Sequence, residues 1–82
     1  MRLTIYSKPG CHLCDEMKAI VTRTVQSLPR NSPEISIDTM DISLDDTLLA
    51  LYGEEIPVLL IDGKKAAKYR ITEEELRRRL QA

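Results

Sequence analysis

The spacing of hydrophobic and polar positions changes several times along this chain, and each change predicts a secondary-structure element. At the start, Leu3 and Ile5 alternate with Thr4 and Tyr6, which is the period-two pattern of a strand. From Leu13 onward, apolar residues recur at the spacing of one helix face. They are Met17, Ile20, Val21, Val25 and Leu28. We therefore predict a first strand that is followed closely by a first helix.

The middle of the chain predicts a turn, a second strand and a short helix. Pro29–Pro33 has the composition of a turn, and the apolar residues of Ile35–Asp41 indicate a strand. Ser43, with Asp46 three residues later, resembles a capping box that would open a helix. We expect that helix to end at Gly53, because glycine is the commonest residue just past a helix C-terminus.

The last third predicts a β-hairpin and a final helix. Val58–Ile61 is continuously apolar, as expected of a strand that is buried on both faces. Asp62–Gly63 is a strong hairpin turn signal, so Lys64–Tyr69 is expected to return antiparallel. Thr72 and Glu75 form a capping box for a helix that runs to about residue 80.

The predicted order is therefore β-α-β-α-β-β-α, an α/β fold with a four-stranded mixed sheet and three helices. The first two strands flank a helix and should pair in parallel, whereas the last two should pair antiparallel. A chain of 82 residues has little room for a second hydrophobic core. We expect one domain over residues 1–82.

Composition narrows the class of protein. Hydrophobic residues make up 43% and charged residues 30%, which is typical of a soluble globular domain. The net charge of -1 and the absence of Phe and Trp argue against a nucleic-acid binder. No apolar run approaches the roughly 20 residues needed to cross a bilayer. The first residues are also too strand-like for a signal peptide. We expect a monomeric cytoplasmic protein with no membrane partner.

The candidate chemistry is a pair of cysteines, Cys11 and Cys14, between the first strand and the first helix. A reducing cytosol disfavours a permanent disulfide, so a catalytic or metal-binding pair is the better interpretation. A cysteine at a helix N-terminus faces free backbone N–H groups and the positive end of the helix dipole, which stabilise its thiolate. We assign Cys11 as the attacking sulfur. Cys14, one turn further and more buried, would resolve the mixed disulfide.

Two neighbours leave alternatives open. The Lys8 ammonium would favour the thiolate or meet a substrate carboxylate, unless Lys8 is simply a solvated loop residue. His12 is the only histidine and is either an exposed spacer, a proton donor or a metal ligand. With Cys11 and Cys14 it supplies at most three ligands, so a four-coordinate zinc site would require a dimer. A third hypothesis is a binding domain that keeps its fold with little catalysis.

The residues in this order resemble a known family. A strand, then Lys8–Cys14, then a helix, and later Ile56–Val58 before a buried strand resemble the glutaredoxin branch of the thioredoxin-fold family. The resemblance covers essentially the whole chain. The motif Cys-x-Leu-Cys-Asp is similar to that of the small glutaredoxin-like proteins. A thioredoxin-like fold and a thiol-disulfide oxidoreductase activity are what this resemblance implies.

The resemblance also implies roles for single residues. Cys11 would be the nucleophile, Cys14 the resolving thiol, and Pro57 a cis-proline beside the dithiol. The backbone of Ile56 would then pair with the cysteinyl backbone of glutathione or of a substrate peptide, as an added strand does. The substrates would be disulfide-containing proteins or small molecules.

Glutathione is the candidate co-substrate, and no tightly bound cofactor or metal is expected. Typical glutaredoxins carry a Gly-Gly step and an acidic residue before the last helix, which hold the γ-glutamyl group. Here Tyr69–Glu73 contains no glycine. Thr72 and Glu73 would still present helix N-terminal N–H groups to a carboxylate. The expected electron donor is glutathione or a flavoprotein reductase.

Overall fold

A computed structural model describes residues 1–29, 32 and 34–81, so Arg30, Asn31 and Pro33 of the predicted turn lie outside it. Within these residues the predicted order of elements is confirmed, with one added 3₁₀ helix. The elements are β1 (Arg2–Ser7), α1 (His12–Gln26), β2 (Ser36–Asp41), the 3₁₀ helix (Ile42–Leu44), α2 (Asp46–Tyr52), β3 (Val58–Ile61), β4 (Lys64–Lys68) and α3 (Glu73–Gln81). Over this described part of the chain, no helix combines the length and the apolar character that crossing a membrane requires.

The four strands form one mixed sheet in the order β2-β1-β3-β4. β1 and β2 are parallel, with Tyr6 opposite Met40. β1 and β3 are antiparallel, with Tyr6 opposite Val58, and β3 and β4 are antiparallel as well. The carboxyl end of β1 therefore lies beside the amino end of β3. This edge of the sheet is where the loop to the two cysteines begins.

The hydrophobic core lies between one face of the sheet and the helices α1 and α3. From the sheet, Leu3, Ile5 and Leu59 contribute fully buried side chains. The helices and the segment before α3 contribute Met17, Val21, Ile71, Leu76 and Leu80. Met17 and Val21 are four residues apart and so lie on the same face of α1. Packing of this face on the sheet fixes the rotation of α1 about its axis.

The opposite face of the sheet has a thinner cover. Val58 and Ile42 are fully buried there, and the rings of Tyr6 and Tyr52 pack with their centroids 5.2 Å apart. No residue of α2 is fully buried. Leu59 faces the main core and Val58 faces this second layer. β3 is therefore buried on both faces, as its continuous apolar run predicted.

The start of α2 differs from the prediction. Ser43 does not cap α2 but lies in the 3₁₀ helix, where its N–H donates to Asp41 Oδ1 at 2.9 Å. The residue that caps α2 is Asp45, whose Oδ1 accepts the N–H of Leu48 at 3.0 Å. The physical reason is that Asp41 and Asp45, four residues apart, each cap a separate short element: Asp41 caps the 3₁₀ helix and Asp45 caps α2. The predicted end of α2 at Gly53 is confirmed.

The hairpin and the last helix follow the predicted local signals. Asp62 and Gly63 have φ angles of 50° and 84°, and two positive φ values in succession are what a type I′ turn requires. The Asp62 carboxylate also accepts the N–H of Arg2 at 2.7 Å, which ties the turn to the start of β1. Thr72 Oγ1 accepts the N–H of Glu75 at 3.1 Å and so caps α3.

Candidate active site

Cys11 is the N-cap residue of α1. Its backbone is extended, with φ -89° and ψ 110°, and its Sγ accepts the N–H of Cys14 at 3.1 Å. A sulfur thus takes the place that a serine or aspartate oxygen usually occupies at a helix start. The N–H of Cys14 and the positive end of the helix dipole both point at this atom. Both features would stabilise negative charge on this sulfur.

Cys14 is bonded to Cys11 in a disulfide with the two Cα atoms 5.2 Å apart. The two cysteines differ in accessibility: Cys14 is 1% exposed, whereas Cys11 is partly exposed. The reason is the helix period, because Cys14 begins the buried face of α1 that continues through Met17 and Val21. Of the two cysteines, only Cys11 therefore presents appreciable surface to solvent.

The loop before Cys11 is shaped by Gly10, which has a φ of +75°. A Cβ at this position would meet no atom within 4 Å, so the backbone conformation rather than crowding favours glycine. Lys8, two residues earlier, is partly buried where the chain leaves β1. His12 is exposed at the first helical position.

The peptide bond between Ile56 and Pro57 is cis, and Pro57 is fully buried. Pro57 directly precedes β3, and the register of β3 with β1 places it beside Ser7, the last residue of β1. Its carbonyl oxygen accepts the N–H of Tyr69 at 2.8 Å. The sheet therefore brings Ile56 and Pro57 to the edge from which the cysteine loop leaves, although they are distant in sequence.

Thr72 and Glu73, at the start of α3, already have partners for their side chains. Thr72 Oγ1 caps α3 by accepting the N–H of Glu75. The Glu73 carboxylate accepts a hydrogen bond from Arg77 at 2.9 Å and lies 3.9 Å from an Arg23 nitrogen. Because Arg23 belongs to α1, Glu73 helps to hold α3 against α1. What these two residues can offer a ligand is their backbone rather than their side chains.

Glu55 was missed at the sequence level. Its carboxylate lies 2.8 Å from Lys65 Nζ and 3.3 Å from Lys68 Nζ, both on β4. The hydrogen bond from Lys65, and then that from Lys68, hold the pKa of this carboxyl below its ordinary value of 4.5. The available signal was an acid immediately before Ile56 combined with lysines on a predicted edge strand, but a charge pattern does not say which side chains meet.

A metal centre finds little support in the described part of the chain. Among residues 1–29, 32 and 34–81, no group of three or more His, Cys, Asp or Glu side chains is arranged to hold a metal ion.

The fold and the site together define a class of protein. A cysteine pair at the start of the first helix and a cis-proline directly before a central strand are features of a thioredoxin fold. The X-ray structure of the protein XcR50 from X. campestris is similar, with a TM-score of 0.75 and 25% identity over 96% of this chain and 95% of that one. A mutant thioredoxin from Halobacterium salinarum has a TM-score of 0.60 over 98% of this chain and 71% of its own, and at 17% identity it shows the fold alone.

The chain belongs to the family described as Glutaredoxin-like domain (DUF836), whose family model matches residues 2–81. A glutaredoxin-like protein of Dictyostelium discoideum is 29% identical over 79 residues, covering 93% of this chain and 71% of that protein. An uncharacterized protein of Mycobacterium tuberculosis is 26% identical over 83 residues, covering 93% of this chain and 78% of its own. The predicted resemblance to glutaredoxin-like proteins is confirmed.

Proposed function

We propose that this protein is a thiol-disulfide oxidoreductase of the glutaredoxin type. The observation that carries the proposal is the position of Cys11 Sγ. Cys11 is a partly exposed N-cap residue, its Sγ accepts the N–H of Cys14, and its bonded partner is the sulfur of the buried Cys14. An attacking sulfur needs access and a stabilised negative charge, and a resolving sulfur needs shelter and proximity.

The reaction has two exchange steps. The Cys11 thiolate attacks one sulfur of a substrate disulfide, that S–S bond breaks, and the leaving thiolate takes a proton from solvent. Cys14 then loses its proton and attacks Cys11 Sγ. The Cys11–Cys14 disulfide forms and the second substrate thiolate leaves. The substrate gains two electrons, and two molecules of glutathione or one turnover of a flavoprotein reductase return them to the dithiol.

Substrate contacts are proposed for the backbone of Ile56, which lies near the end of β1 from which the cysteine loop leaves. Among the described residues, the N–H and C=O of Ile56 have no hydrogen-bond partner. They are available to pair with the backbone of glutathione or of a substrate peptide, with Pro57 as the buried support. Lys8 would attract a substrate carboxylate. Thr72 and Glu73 would contribute only N–H groups, because their side chains are engaged elsewhere.

The test measures thiol reactivity and turnover separately. The reduced protein is treated with iodoacetamide at pH 6, and alkylation of each cysteine is followed by mass spectrometry beside a free cysteine peptide. We expect Cys11 to react faster than the peptide and Cys14 to react last, with Cys14→Ser leaving the Cys11 rate high. A Cys11 that reacts no faster than the peptide contradicts an activated nucleophile.

Turnover is measured with hydroxyethyl disulfide in two parallel coupled assays. One contains glutathione, glutathione reductase and NADPH, and the other contains thioredoxin reductase and NADPH. We expect NADPH oxidation in at least one assay and its loss in Cys11→Ser. The assay that responds identifies the class of electron donor. No turnover in either assay, together with normal folding, would favour a binding domain with little catalysis.

A further inference from the structure

The segment between α2 and β3, residues 53–57, has backbone hydrogen bonds at Glu55 and Pro57, whereas Ile56 between them has none to a described residue. At one end the N–H of Glu55 donates to the carbonyl of Tyr52 at 2.9 Å. At the other end the carbonyl of Pro57 accepts the N–H of Tyr69 at 2.8 Å. Between these anchors, no described residue pairs with the Ile56 N–H or C=O. The backbone groups proposed to receive a substrate therefore lie on a short bridge whose position depends on its anchors.

The Glu55 side chain supplies an additional anchor to the strand next to β3. Glu55 Oε1 lies 2.8 Å from Lys65 Nζ, and Glu55 Oε2 lies 3.3 Å from Lys68 Nζ. The Glu55 side chain is 26% exposed, while those of Lys65 and Lys68 are 41% and 48% exposed. One carboxylate that binds two ammonium groups restrains the chain more than an isolated surface pair does.

This ion-pair cluster (Glu55, Lys65 and Lys68) is not needed to hold β3 and β4 together. The two strands already share a backbone hydrogen-bond ladder and the Asp62–Gly63 turn. The part of the chain that the cluster restrains in addition is the bridge that carries Ile56. We infer that Glu55 is a positioning residue, which fixes the Ile56 backbone for pairing with a disulfide substrate. The inference rests on the proposed oxidoreductase function.

A comparison of two disulfide substrates tests this role. The first is a symmetric peptide disulfide with acetylated and amidated ends and no charged residue, so it presents a backbone but no net charge to Lys65 and Lys68. The second is hydroxyethyl disulfide, which has no peptide group. Dithiothreitol replaces glutathione as the electron donor for both substrates, because glutathione and its mixed disulfides carry a peptide backbone of their own. Because only the first can pair with Ile56, Glu55→Gln should raise its KM by about two- to fivefold. The KM for hydroxyethyl disulfide and the alkylation rate of Cys11 should not change.

Glu54→Gln is the matched control, since Glu54 is exposed and forms no ion pair within the described residues. Its KM for the peptide disulfide should equal that of the wild type. A Lys65→Met/Lys68→Met double variant should show the same rise in KM for the peptide disulfide as Glu55→Gln. Adding Glu55→Gln to this double variant should not raise the KM further.

Two failures are distinguishable. A Glu55→Gln protein with the wild-type KM for both disulfides, or with the same rise in KM for both, overturns the positioning role. A wild-type protein that turns over neither disulfide overturns the proposed function instead.

Discussion

Cys11 combines two roles that substitution can separate. It is the proposed nucleophile, and it is the cap of α1, because its Sγ accepts the N–H of Cys14 at 3.1 Å. A serine hydroxyl restores an acceptor at this position, whereas alanine leaves that N–H without a side-chain partner. Loss of an N-cap acceptor costs about 1 kcal/mol, within a range of roughly 0.5–2 kcal/mol. Cys11 is partly exposed, so water can reach the freed N–H, which keeps the cost below the upper end of this range.

Both variants lack the disulfide, so the comparison is made between them and in reducing buffer. We expect the free energy of unfolding of Cys11→Ser to exceed that of Cys11→Ala by about 1 kcal/mol. This difference corresponds to roughly 4–8 °C in Tm for a domain of this size. Urea denaturation followed by circular dichroism measures it, and the coupled assays should find no turnover in either variant. Equal denaturation midpoints would refute the capping argument, and a Cys11→Ser protein with wild-type turnover would refute the assignment of the nucleophile.

Three further outcomes are expected for stability. Leu59→Ala should lower the free energy of unfolding by about 2–5 kcal/mol in urea denaturation, because Leu59 is fully buried in the core. Leu44→Ala is the control: the Leu44 side chain is 90% exposed, so its free energy of unfolding should stay within about 0.5 kcal/mol of the wild-type value. The hydrogen bond from Lys65, followed by that from Lys68, lowers the pKa of Glu55, so the stability that this carboxylate contributes is present above pH 4.5 and is lost as the pH falls through the lowered pKa. In a pH series of denaturation curves, the free energy of unfolding should therefore fall less steeply in acid for Glu55→Gln than for the wild type. Identical acid slopes would contradict this. Gly63→Ala should destabilise by about 1 kcal/mol, because alanine at a φ of 84° is strained, and an unchanged Tm would speak against the I′ turn.

Local signals predicted most of the fold because their causes lie within a few residues. The pair Asp62–Gly63 specifies a turn through its own backbone preferences, and Thr72 caps α3 through an N–H three residues away. The same holds for Cys11 and Cys14, since helix geometry alone places the first at the N-cap and the second on the buried face. Where two local signals competed, the prediction failed: Ser43 looked like a cap, and the neighbouring Asp45 took that role.

Sequence by itself determined the order of elements, the hairpin and the dithiol at the start of a helix, since each depends on neighbours along the chain. Only the tertiary structure decided which distant groups meet. It set Pro57 beside the end of β1, paired Glu55 with lysines of β4, and engaged Glu73 with Arg23 across α1 and α3. These contacts join residues far apart in the chain, and they depend on sheet register and helix docking. Both arise from burying the whole core at once, which no short stretch of sequence encodes.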